Sequence, residues 1–222
     1  MTQMVEKAII IGATGLVGLT LIQRLNTLPS CRRITAVVRA QNPILHQFEK
    51  VQQLVVEDFL LLNAQDVADY SHAFSCLGTT LKKAKSKAGF YQVDFAINAH
   101  FADLLLSSNT HYVLVSALGA SVDAQFFYQR VKGELESYIR SLSLFKVSII
   151  RPSLLLDQRI ETRFLENLTK YLYAKMVALV PVSLKYRPVT AQQVVQTIIY
   201  AAQNQDAEYV VYDNSAIIEL NH

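Results

Sequence analysis

The segment FYQRVKGELE, residues 127–136, sets Tyr128 and Lys132 four apart. In a helix that spacing puts the two side chains on one face. Such a pair can do acid–base chemistry. A phenol titrates near 10 and is a poor acid–base group at neutral pH, but a neighbouring ammonium favours the phenolate. Bringing it to about 7 takes about 4 kcal/mol, within reach of a cation in a partly dry cleft. A second pair of the same spacing, Tyr171/Lys175, offers the same residue types. Context separates them. Ser116 lies twelve residues before Tyr128, at the end of the apolar run YVLVSA, where a hydroxyl could hold a substrate oxygen. The residue twelve before Tyr171 is Arg159, in a polar segment. Along 125–142 the apolar stripe is Phe127, Val131, Leu135 and Tyr138, and Tyr128 and Lys132 lie one residue round from it. Both are expected to border the core and face a cleft.

The elements that must position these residues follow from the apolar runs. AIII (8–11), ITAVV (34–38), QLVVE (53–57), AFSCL (73–77), YVLVSA (112–117), KVSII (146–150) and EYVVY (208–212) are Val- and Ile-rich, and most lack polar alternation. Strands covered on both faces look like this. Helical patterns fall between them, near 16–27, 60–70, 89–108, 125–142, 160–178 and 191–203. The alternation predicts an α/β class with a doubly wound, mostly parallel sheet of about seven strands. No repeat or linker divides the chain, so residues 1–222 are read as one domain. Ligands of such sheets bind beyond the carboxyl ends of the strands.

The first run continues as IIIGATGLVG, giving Gly12, Gly15 and Gly18 at G-x-x-G-x-x-G spacing. Only seven glycines occur in the chain, so three within seven residues, after a strand and before a helix, are the context a dinucleotide fold requires. Gly12 permits the turn, Gly15 lets a phosphate approach, and Gly18 lets the helix pack on the sheet. The helix N-terminus offers free N–H groups to a pyrophosphate. An NAD site usually carries an acid about 20 residues further on. No acid occurs here between Glu6 and Glu49, and the second strand instead ends VVRAQN. Arg39 suits a 2′-phosphate, which points to NADP(H). Asp58 could reach the adenine edge or cap the next helix. In CLGTT, Gly78 allows close backbone approach, and Thr79 and Thr80 offer hydroxyls near the nicotinamide side. The basic run KKAKSK (82–87) reads as a loop that is either solvated or closes over the cofactor.

A net charge of +3 and 51% hydrophobic residues argue against a broad nucleic-acid surface and against disorder. No apolar stretch approaches a membrane span. Cys31, Cys76 and the five histidines lack metal-ligand spacing, so no metal is expected. With no apolar leader at the N-terminus, the expected location is cytoplasmic.

GATGLVG, VVRA, CLGTT, Ser116 and YQRVK together resemble the short-chain dehydrogenase/reductase superfamily across almost the whole chain. The blocks CLGTTLKKAKSKAGFYQVD, LVSALGAS, FFYQRVKGELE and IIRPSLLLDQR resemble more narrowly the atypical Tat-interacting-protein-like oxidoreductases. The resemblance implies a Rossmann fold, NADP(H) binding and a catalytic Ser116/Tyr128/Lys132 set. It also implies cofactor contacts from Gly12, Thr14, Gly15, Leu16, Val17, Arg39, Asp58, Leu77, Gly78 and Thr79, with Arg151 and Pro152 flanking the nicotinamide. Asn98 stands in the helix where many superfamily members carry a catalytic asparagine; a catalytic and a structural role both remain open. The apolar segment 171–190 and loops near 119–126, 153–164 and 178–188 are expected to form a small substrate region. The expected function is an NADP(H)-dependent oxidoreductase acting on a small carbonyl or alcohol. The alternative is a non-catalytic NADP(H)-bound sensor with a protein partner or a second copy of itself.

Overall fold

The computed structural model describes residues 4–156 and 184–222. Seven strands form one parallel sheet: β1 (Lys7–Ile11), β2 (Arg33–Val38), β3 (Val51–Val55), β4 (His72–Ser75), β5 (His111–Val115), β6 (Lys146–Ile150) and β9 (Tyr209–Tyr212). Two short strands, β7 (Leu155–Leu156) and β8 (Val189–Thr190), pair in parallel beside it. The order of the large sheet is β3-β2-β1-β4-β5-β6-β9, so the winding reverses between β1 and β4. Residues just past those two strands therefore open onto the crevice of a doubly wound sheet.

The alternation along β1 explains the two layers. Ala8 and Ile10 join one core with Leu21, Ile22, Val194 and Ile198, supplied by α1 (Leu16–Thr27) and α6 (Ala191–Asn204). Ile9 and Ile11 join the other with Phe101, Leu135 and Ile139, supplied by α4 (Ile97–Asp103) and α5 (Phe127–Ser141). Fully burying each such Leu or Ile is worth about 1.5–3 kcal/mol, so both faces need their helices. The last helix, α7 (Asn214–Glu219), closes the first face.

The expected helix at 60–70 does not form. A short 3-10 turn, Phe59–Leu61, is followed by turns in which Asn63 Oδ1 accepts from the Gln65 amide at 2.9 Å and Asp66 Oδ2 accepts from the Asn63 amide at 3.0 Å. Asp69 takes a left-handed φ of 62°. These side chains satisfy the backbone locally and compete with the helix. The KKAKSK run is not a loop either. It spans α2 (Leu81–Ala84) and the start of α3 (Lys87–Tyr91), separated by Lys85 at φ 63°. The long pattern at 89–108 resolves into α3, a π-helical turn Gln92–Ala96, and α4. The expected helix 160–178, the Tyr171/Lys175 pair and most of the apolar segment 171–190 lie outside the described residues.

Candidate active site

Gly12 fixes the turn out of β1. Its φ is +75°, and a Cβ there would stand 2.5 Å from the Cys76 carbonyl and the Leu77 amide. A Cβ at Gly18 would stand 2.2 Å from the Gly12 carbonyl oxygen. The two glycines thus let the β1 turn, the β4 end and α1 meet with almost no space between backbones. The N-cap of α1 is Gly15, with no side-chain cap and no acid in the first turn. Its free N–H groups are left to an anion.

A cavity of about 900 Å³ runs from this turn past Thr14, Arg39, Asn42 and Asp58. A second, of about 690 Å³, is lined by Leu16, Val17, Ser116, Tyr128, Lys132 and Pro152, among others. Gly15, Cys76, Leu77, Gly78, Thr79 and Lys83 line both. The two are one continuous cleft across the sheet reversal, with a glycine cradle at its middle. An extended dinucleotide fits that layout.

Most residues expected at the cofactor lie on this cleft. Gly18 and Arg151 do not line it. Gly18 lies against the Gly12 backbone. Arg151 is turned away: its guanidinium grips Glu136, with Nε 3.0 and 3.1 Å from the two carboxylate oxygens and a further bond from Nη2. Its side chain is committed to that ion pair, while Pro152 beside it lines the cleft. Asp58 both lines the cleft and caps: its Oδ1 accepts from the Leu60 amide at 3.0 Å.

Ser116 follows β5 and is pinned by its amide, which donates to the Ile150 carbonyl at 2.8 Å. Its hydroxyl donates to Glu136 Oε1. Tyr128 sits in the first turn of α5 with 40% of its surface exposed, its ring edge-on to Phe90 at 5.7 Å. Lys132 does not border the core as its helix phase suggested. It is 3% exposed, with Nζ 2.8 Å from Asp94 Oδ1. Asp94 is itself fully buried and accepts from the Thr79 amide at 2.8 Å through Oδ2. Burial raises the Tyr128 phenol above the usual tyrosine range; Lys132 pulls it down and Asp94 pushes it further up. Lys132 alone therefore does not produce a phenolate in the protein as it stands.

Two acidic residues, Asp94 and Glu136, are integral to the site and carried no assignment from the sequence. Glu136 stands four residues after Lys132 and eight after Tyr128, so helix periodicity places all three on one face. That signal was available. Asp94 gave none, because the π turn shifts the helix phase at that point. Asn98 is buried. It accepts from the Ser75 hydroxyl and donates through Nδ2 to the Val93 carbonyl at 2.9 Å and the Asp94 carbonyl at 3.3 Å. It braces the π turn and does not line the cleft. Cys76 does line it, but burial pushes its thiol up to about 12, which leaves no thiolate nucleophile at neutral pH.

Residues 7–117, half of the chain, match the family described as semialdehyde dehydrogenase, NAD binding domain. The chain belongs to that family. It is also FMP52-like. "Protein FMP52, mitochondrial" of Debaryomyces hansenii is 30% identical over 88% of this chain and 87% of its own length. "Protein FMP52-1, mitochondrial" of Scheffersomyces stipitis is 29% identical over 88% of both chains. Among solved structures, a short-chain dehydrogenase/reductase family oxidoreductase from Burkholderia thailandensis superposes with a TM-score of 0.66 at 17% identity, over 98% of this chain and 94% of that one. The likeness to that structure shows a Rossmann-like fold, and by its family match the chain is of the NAD(P)-binding oxidoreductase type. The cytoplasmic expectation is overturned by the relatives, which are named as mitochondrial proteins. It rested on the lack of an apolar leader, a feature that does not test for mitochondrial location. Among the described residues, no helix is long and apolar enough to cross a membrane.

Proposed function

We propose that the protein is an NADP(H)-dependent oxidoreductase of the short-chain dehydrogenase/reductase type, interconverting a small carbonyl compound and its alcohol. The observation that carries this reading is the shared wall of Ser116, Tyr128 and Lys132, continuous with the glycine cradle. The Tat-interacting-protein-like motif blocks support it as well. A bound nicotinamide supplies hydride to the carbonyl carbon, or takes it from the alcohol. In the reductive direction Tyr128 gives its phenolic proton to the carbonyl oxygen, completing the alcohol. The phenol keeps its proton until hydride addition makes the carbonyl oxygen an alkoxide, which is basic enough to take it. Lys132 stabilises the phenolate left behind. Ser116 orients the oxygen: its lone pairs accept from an alcohol while its proton stays on Glu136, and it turns from Glu136 to donate to a carbonyl.

Arg39 supports the phosphorylated cofactor, being an exposed cation on the cleft past β2. Following its relatives' names, the proposal assigns the protein to mitochondria. We further propose that the whole chain forms one Rossmann unit with its substrate region near 153–188; residues 157–183 of it lie outside the described residues. The test is NADPH consumption against a panel of aldehydes, ketones and quinones, with wild type and Tyr128→Phe side by side and bound-NADPH fluorescence recorded in both. Turnover that collapses in the variant with binding retained is the expected result. Tight binding without turnover in wild type would contradict the proposal.

A further inference from the structure

Buried ion pairs are costly unless each member is held by further hydrogen bonds. Asp94 and Lys132 meet at 2.8 Å with both side chains at most 3% exposed. The supports around Asp94 are specific. Ser75 on β4 bonds Asn98; Asn98 ties down the Val93 and Asp94 carbonyls of the π turn; and Asp94 Oδ2 accepts from the Thr79 amide. A Cβ at Gly78 would stand 3.2 Å from Asp94 Oδ1 and 3.6 Å from Lys132 Nζ. The carboxylate therefore touches both the turn that lines the cofactor cleft and the lysine beside Tyr128. A π turn that re-aims one side chain in this way is a frequent mark of a functional site.

Resting on the function proposed above, we infer that Asp94 is the positioning residue of this site: it holds the Lys132 ammonium against the Gly78–Thr79 turn and sets its charge against that ammonium beside Tyr128. The charges facing Tyr128 are Lys132 from its own helix, Asp94 from the π turn and Lys83 from α2 across the cavity, with the Glu136–Arg151 pair behind Ser116. Lys132 and Asp94 act on the phenol in opposite senses, as their signs require. Lys132 unopposed would favour phenolate, and Asp94 offsets that pull.

The experiment follows the Tyr128 ring by NMR through its Cζ resonance, assigned by its loss in Tyr128→Phe, across an alkaline titration that needs no turnover. Asp94→Asn is expected to move the Tyr128 midpoint to lower pH, Lys132→Gln to higher pH, and Asp94→Glu to leave it close to wild type. Where Asp94→Asn alone fails to fold, because it leaves Lys132 buried without a partner, the double variant Asp94→Asn/Lys132→Gln carries neither charge. Its midpoint is then expected below that of Lys132→Gln. An unchanged midpoint in the Asn variant, or in the double variant against Lys132→Gln, overturns the inference. Turnover is measured separately on the same proteins. A shifted midpoint without turnover in wild type leaves the role of Asp94 intact and removes the proposed reaction. Turnover with a pH profile identical in wild type and Asp94→Asn does the reverse.

Discussion

The Ser116 hydroxyl donates to the Glu136 carboxylate, and Arg151 grips the same carboxylate through its guanidinium. The serine at the end of β5 is thereby tied to α5 and to the end of β6, two elements whose residues line the same part of the cleft. Glu136→Ala leaves Arg151 without its partner and frees Ser116. It is expected to cost about 2–3 kcal/mol of stability, read as a lower urea midpoint. It is also expected to lower kcat/KM more than it changes NADPH binding.

Gly18→Ala forces a methyl into the Gly12 carbonyl. Backbone cannot yield as a flexible side chain can, so a loss of at least about 2 kcal/mol is expected in thermal or urea unfolding. Bound-NADPH fluorescence should weaken with it, because the cradle and the start of α1 move together. Unchanged binding would mean that the glycine turn does not hold the cofactor.

Arg39→Ala is expected to weaken NADPH binding about tenfold or more while leaving NADH nearly unaffected, as loss of a charge-assisted contact to a 2′-phosphate requires. Parallel fluorescence titrations with the two cofactors check this. Equal weakening of both would assign Arg39 to the shared part of the dinucleotide.

At the opposite end of the sheet, His72 and His111 are buried with their rings 5.3 Å apart. Burial pushes His72 down to about 4 and His111 down to about 2. Both are neutral when folded and gain a proton on unfolding below about 6.5. Stability is therefore full above that pH and falls as pH drops towards the folded values. Between pH 7.5 and 5, His72 alone is expected to remove roughly 2 kcal/mol. Urea unfolding at the two pH values reads this loss, and His72→Gln should reduce it.

The fold was legible because β1, β2, β5 and β6 are mostly apolar and buried on both faces, a pattern that parallel strands between helix layers impose. The glycine turn was legible because its spacing is a steric requirement of three backbones meeting. The helix at 60–70 was misread because Asn63 and Asp66 act through side chain-to-backbone bonds, and Asp69 through a left-handed backbone, that periodicity does not register. Lys132 was placed at the core edge because helix phase locates a side chain but not its partner. Asp94 arrives from another element, 38 positions earlier, through a π turn that no spacing rule anticipates. Glu136 was legible in principle, at the next turn of the same face as Tyr128 and Lys132.

The central claim is that Tyr128 completes a hydride transfer in this cleft. The most direct measurement supplies NADPH carrying deuterium at the nicotinamide C4 position, with the best carbonyl from the panel, to wild type and Tyr128→Phe. Wild type is predicted to give an alcohol with deuterium on its carbinol carbon, and the variant to bind the cofactor yet form almost none. An alcohol without deuterium, or equal product from the variant, would contradict the claim.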